Sequence, residues 1–115
     1  MEQRYCLALD LKDEAAAISR YEDLHAKVSA PVIASIRDAD ILEMEIFRTG
    51  NRLFMIMETG PAFSFEAKGK SDASNPAVQE WEDLVGQYQQ LLPWAKPGEK
   101  WVLMHSVFRL SNFEQ

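Results

Sequence analysis

The chain has 115 residues, 47% hydrophobic and 26% charged, with a formal net charge of −6. Such a length suits a single domain that buries its own core. The acidic balance argues against nucleic acid and anionic membrane surfaces, both of which call for a basic footprint. The single cysteine, Cys6, lies in an apolar run, cannot form an internal disulfide, and reads as a reduced, buried thiol. No cationic-then-apolar leader opens the chain and no apolar run approaches transmembrane length, so a cytoplasmic domain without membrane contact is expected.

From Arg4 to Leu11, Tyr5, Leu7, Leu9 and Leu11 alternate with Cys6, Ala8 and Asp10, which predicts a strand with two unlike faces. Asp13 is placed to cap the next helix, which an alanine run carries on to about Val28. Pro31 then enforces a break or a fresh start, with a short helical turn over Val32 to Ile36. Leu42 to Arg48 and Arg52 to Thr59 flank Thr49-Gly50-Asn51, where Gly50 and Asn51 tolerate positive φ, so a tight β-hairpin is predicted. Gly60-Pro61 ends its second strand, Phe63 to Lys70 reads as helical, and Asp72 to Pro76 reads as a loop. Ser74-Asn75-Pro76 starts a helix from Ala77 to about Leu92, striped by Val78, Trp81, Leu84, Val85, Tyr88 and Leu92. A proline-rich loop over Pro93 to Gly98 leads to a last alternating strand, Lys100 to Leu110, and residues 111–115 read as a loose tail.

The order is β-α-β-β-α-β in one domain, residues 1–115 with a core over about 4–110. This is the α+β, ferredoxin-like plan, an antiparallel sheet with both helices on one face. The other face is then solvated or covered by something else, and a partner subunit, as in a homodimer, is the expectation.

Tyr21 and His25 stand four residues apart, so one helical face carries a phenol beside an imidazole. Ile18, Tyr21, His25 and Val28 follow the spacing of a core-facing stripe, which turns the histidine toward the interior. There it is equipped to pass protons near neutral pH, or else is a hydrogen-bonded core histidine. Trp81 comes to the same sheet face from the second helix, as a core or interface aromatic or as the border of a cleft near His25, where its ring would suit the C–H face of a sugar. Glu45 and Glu58 are candidates for sugar hydroxyls, and equally for a solvent edge or salt bridges with Arg48 or Arg52. His105 reads as a packing or edge residue of the last strand. His25 and His105 have no metal-ligand spacing and no CxxC accompanies them, so no metal site is expected. Nucleotide-binding and hydrolase-elbow motifs are absent from the sequence.

Several segments together resemble the L-rhamnose mutarotase family, and most closely its L-fucose mutarotase branch. They are Arg4-Tyr-Cys-Leu-Ala-Leu-Asp-Leu-Lys12, Tyr21-x-x-x-His25, Met44-Glu-Ile-Phe-Arg-Thr-Gly-Asn-Arg-Leu-Phe-Met-Ile-Met-Glu58, Asn75-Pro-x-Val-Gln-Glu-Trp81-Glu and Leu92-Pro-Trp-Ala-Lys-Pro-Gly-Glu-Lys-Trp-Val-Leu-Met104. The resemblance spans roughly residues 4 to 110. It implies a dimeric ferredoxin-like α/β-barrel protein, an isomerase interconverting the α and β anomers of L-fucose, L-rhamnose or a related 6-deoxyhexose without a cofactor. It further implies that His25 is the catalytic proton donor and that Tyr21 and Trp81 bind the sugar. Two places depart from the family pattern: Ala30-Pro31-Val32 lacks an aromatic and a carboxylate, and Val85-Gly86 replaces bulkier residues. Those departures motivate the alternative of a non-catalytic sugar-binding or regulatory paralogue. A dimeric barrel enzyme for an apolar substrate is a third class.

Overall fold

The computed structural model describes residues 3–113. Alternation along β1 (Gln3–Leu11) sends Leu7, Leu9 and Leu11 to a helix-covered face, where Leu9 and Leu11 are fully buried. Burying a leucine to this degree stabilises by about 1.5–3 kcal/mol. The hairpin of β2 (Ile41–Thr49) and β3 (Arg52–Thr59) sets Leu53, Met55, Met57 and Thr59 on the same face. Its two-residue turn has positive φ at Gly50 alone, and Asn51 is instead tied to β1. Leu11 N–H donates to the Asn51 carbonyl at 2.7 Å, and Asn51 Nδ2 donates to the Leu11 carbonyl at 3.0 Å.

The sheet is antiparallel in the order β2-β3-β1, and the far side of β1 is shared by two short strands laid end to end. β4 (Gln89–Gln90) takes Asp10 and Leu11, and β5 (Val102–Leu103) takes Leu7 and Ala8. Helices α1 (Ala15–His25), α2 (Ala30–Asp38), α3 (Phe65–Ala73) and α4 (Pro76–Gly86) complete the order. Two buried clusters fill the space beneath them: Leu7, Ile41, Met55 and Met57 in one, Leu11, Tyr21, Leu53 and Val85 in the other. Ile46 and Trp101 pack against both and join them. This is the ferredoxin-like α+β arrangement that the element order requires.

Several boundaries differ from expectation. Glu14, not Asp13, is the N-cap of α1, and the helix ends at His25 rather than near Val28. Pro31 opens a nine-residue helix rather than a turn, consistent with proline's fit in a first helical turn. The expected loop over 72–76 shrinks, because α3 runs to Ala73 and Asn75 already caps α4, its Oδ1 accepting from Ala77 and Val78 N–H. α4 stops at Gly86, not Leu92: the chain turns there, and Tyr88 and Leu92 pack from outside the helix. The last strand is two residues, not eleven. After Met104 N–H donates to Cys6 O, residues 105–109 have no regular structure, and Leu110–Phe113 form a 3₁₀ turn. Only the final two residues of the expected tail lie outside the described residues.

Cys6 is half-buried rather than sealed, on the sheet face away from the helices. Around it that face carries Ala8, Phe54, Ile56 and Phe47. Asp10 is buried there in a two-pronged pair with Arg52, Nε–Oδ1 2.7 Å and Nη2–Oδ2 3.1 Å. The pair holds the Arg52 guanidinium above its usual pKa, and that cation also lies 5.4 Å from the Trp94 ring centre.

Candidate active site

A cleft of about 540 Å³ lies between the helices and the edge of the sheet, a volume within the range of small-molecule sites. Apolar walls come from Val32, Ile36, Met55, Val78 and Val85. Tyr21, His25 and Trp81, the three residues singled out from sequence, line it together. The Tyr21 and His25 rings are 4.3 Å apart between centres, and the Trp81 ring meets His25 edge-on at 5.1 Å. His25, as the last residue of α1, turns Nδ1 back onto the Tyr21 carbonyl at 2.8 Å. A carbonyl only accepts, so Nδ1 carries a hydrogen and Nε2 is the nitrogen free to exchange protons.

Tyr21 is 3% exposed. Burial raises its phenol above the ordinary range, while a hydrogen bond from the Gln89 side chain acts the other way. The phenol therefore stays neutral and a donor at physiological pH. The oxygen end of the Gln89 amide, Oε1, is buried without a partner. Lys100 lines the cleft beside it, and a Cβ on Gly86 would stand 3.4 Å from Lys100 Nζ. Gly86 thus faces both groups, and a Cβ there would touch them at ordinary contact distance.

Glu45 and Glu58 are not part of this site. Strand alternation puts both on the opposite sheet face, where Glu58 pairs with Arg4 at 3.5 Å, while Arg48 pairs with Glu22 on α1. The carboxylates on the cleft wall are Glu43, Asp72 and Glu82, none singled out from sequence. Trp101 lines the cleft, Trp94 is 60% exposed outside it, and His105 is exposed beyond β5. Val32, at the altered Ala30-Pro31-Val32 turn, is buried and forms part of the cleft wall. Among the described residues, no three His, Cys, Asp or Glu side chains are grouped to hold a metal ion.

Fold and cleft define a small ferredoxin-like α+β protein with an imidazole and a buried phenol side by side in a largely apolar cleft. The sequence model of L-rhamnose mutarotase matches residues 4–110. An L-fucose mutarotase from Xanthomonas campestris pv. campestris is 45% identical over 112 residues, covering 96% of this chain and 90% of that protein. The chain belongs to the L-rhamnose mutarotase family. Among solved structures, an L-rhamnose mutarotase from Formosa agariphila superposes with a TM-score of 0.70 at 18% identity, covering 94% of this chain and 98% of that one. Tetracenomycin F2 cyclase from Streptomyces glaucescens, a type-II polyketide cyclase, shares the fold at a TM-score of 0.64 and 15% identity, with coverage of 93% and 97%.

Proposed function

We propose that this protein is a sugar mutarotase that interconverts the α and β anomers of L-fucose or a related 6-deoxyhexose, with His25 as its proton donor. The observation that carries the reading is His25 itself: an imidazole with Nδ1 anchored, Nε2 free, and two aromatic rings around it in one cleft. Mutarotation needs no redox change, only a proton gained at the ring oxygen and one lost from the anomeric hydroxyl. Protonated His25 gives its Nε2 proton to the ring oxygen as the C1–O5 bond breaks. The anomeric hydroxyl gives up its proton and becomes the aldehyde carbonyl. Rotation about C1–C2 presents the other carbonyl face, and the same transfers in reverse close the ring.

The base that takes the anomeric proton is assigned to Glu82. Glu43 accepts from Met44 N–H and Asp72 is paired with Lys68. Glu82 is the remaining carboxylate on the wall, adjacent in sequence to Trp81, and has no ion-pair partner among the described residues. Tyr21 and Trp81 bind the sugar, through a neutral hydroxyl and an apolar ring.

The protein acts as a homodimer in this reading. Phe54, Ile56, Ala8 and Cys6 give the uncovered sheet face an apolar centre, and the segment after β5 exposes Val107 (91%), Phe108 (68%) and Leu110 (74%). A second copy buries both, and light scattering at micromolar concentration should give twice the chain mass. Saturation-transfer NMR on L-fucose tests the activity. Catalytic amounts of protein should speed anomer exchange, and a rate left at the spontaneous value for both L-fucose and L-rhamnose contradicts the proposal.

A further inference from the structure

Helix α3 buries none of its residues, yet two of its charged side chains are withdrawn from solvent. Lys68 and Asp72 pair with each other across one helical turn at 16% and 18% side-chain exposure. Among the described residues, each of the other four ion pairs leaves one partner at least 50% exposed. Shielding a Lys–Asp pair costs desolvation and is a weak source of stability, so its placement calls for another reason. Both side chains line the cleft that holds His25. α3 is held beside α4 by Gln79 Nε2, which donates to the Asp72 carbonyl at 2.8 Å, two residues before Trp81. The pair is thus on a fixed wall rather than a free surface helix.

The pair also has hydrogen-bonding capacity in reserve. Lys68 spends one of three ammonium donors on Asp72 Oδ1, and Asp72 Oδ2 has no partner among the described residues. A donor and an acceptor side by side fit two hydroxyls on adjacent carbons, one accepting from the ammonium and the other donating to the carboxylate. Charge-assisted bonds of this kind are the stronger class.

Resting on the mutarotase reading, we propose that Lys68 and Asp72 form the specificity subsite that grips a vicinal diol of the sugar. With the anomeric carbon at His25, the diol that reaches them is on C3 and C4, across the ring from C1. The subsite fixes which hydroxyl configuration presents C1 to His25, and so selects among 6-deoxyhexoses.

The test compares L-fucose with its 2-, 3- and 4-deoxy derivatives, reading kcat/KM by NMR exchange and affinity by calorimetry. Wild-type protein should lose roughly 10- to 100-fold when O3 or O4 is removed, as expected for a hydrogen bond to a charged group. Removal of O2 should cost less. The double variant Lys68→Met/Asp72→Leu replaces both charges together, a change usually tolerated by the fold. It should act on L-fucose no better than on the 4-deoxy sugar, with KM raised and kcat held, the pattern of a binding contact. A variant that weakens equally on every sugar, or not at all, overturns the subsite. So does a wild-type protein indifferent to both O3 and O4, a result that needs no variant to fold. Wild-type protein with no exchange activity on any sugar would instead overturn the mutarotase reading, while calorimetry still reports whether O3 and O4 are gripped.

Discussion

Replacing Tyr21 by Phe removes one oxygen from a side chain that is 3% exposed. Its hydroxyl is the partner of the Gln89 side-chain amide, whose Oε1 already lacks one. Tyr21→Phe therefore takes a hydrogen-bonding neighbour from a half-buried amide whose Oε1 is already without a partner. Losing such a hydrogen bond while the polar group stays part-buried costs about 1–2 kcal/mol. For a chain of this size that corresponds to roughly 4–10 °C in Tm. A second signature is alkaline. The folded-state phenol is raised above 10.0, its ordinary value, chiefly by burial. The neutral buried phenol therefore contributes its full stability below pH 10, and that contribution is lost as pH rises through the higher folded value. Urea melts at pH 7 and in steps above pH 10 separate the two effects. The variant should be less stable at pH 7 and lose less than wild type on the alkaline side. Equal midpoints at pH 7, with the same alkaline decline in both proteins, would refute the reasoning.

Other substitutions probe the turn, the helix end and the base. A Cβ at Gly60 would lie 2.3 Å from Asp40 Oδ2, and that carboxylate is held by Ala62 N–H at 2.9 Å. Gly60→Ala should therefore destabilise by about 1–3 kcal/mol in denaturant melts, through forced displacement and a lost hydrogen bond. At Gly86 the nearest atom to a new Cβ is 3.4 Å away, an ordinary contact, and φ is not positive. Gly86→Ala should raise stability by up to about 1 kcal/mol and raise KM by narrowing the space between Lys100 and Gln89. Glu82→Gln should lower kcat roughly 100-fold or more if Glu82 is the base, with an unchanged melting curve.

The parts of the fold written by local chemistry were legible in the sequence. The hairpin over 41–59 follows from two apolar runs around Gly50, and the start of α4 from Asn75-Pro76. Tyr21 and His25 were legible because helical spacing alone makes them neighbours, and Trp81 because the fold order puts α4 on the same sheet face. What escaped was set by distant partners. Residues 100–110 alternate like a strand, but they pair with β1 only at Leu7 and Ala8 and leave the sheet after Met104 donates to the Cys6 carbonyl, a departure that alternation does not announce. The stripe through Tyr88 and Leu92 continues past Gly86, so periodicity misses the turn that sends the chain back to β1. The alternatives for Glu45 and Glu58 stayed open in the sequence because a carboxylate in a strand gives no sign of which face its register selects. Lys68, Asp72, Gln89 and Lys100 reach the cleft through tertiary packing, without a motif; the i, i+4 spacing of Lys68 and Asp72 was the only local hint.

The central claim is that His25 supplies the proton that opens the sugar ring. Anomer exchange of L-fucose, measured by saturation-transfer NMR with equal amounts of wild type and His25→Ala, tests it most directly. Wild type should exceed the spontaneous rate, and the variant, with wild-type circular dichroism, should lose roughly 10²- to 10⁴-fold of that enhancement. A folded His25→Ala protein that exchanges anomers as fast as wild type would contradict the account.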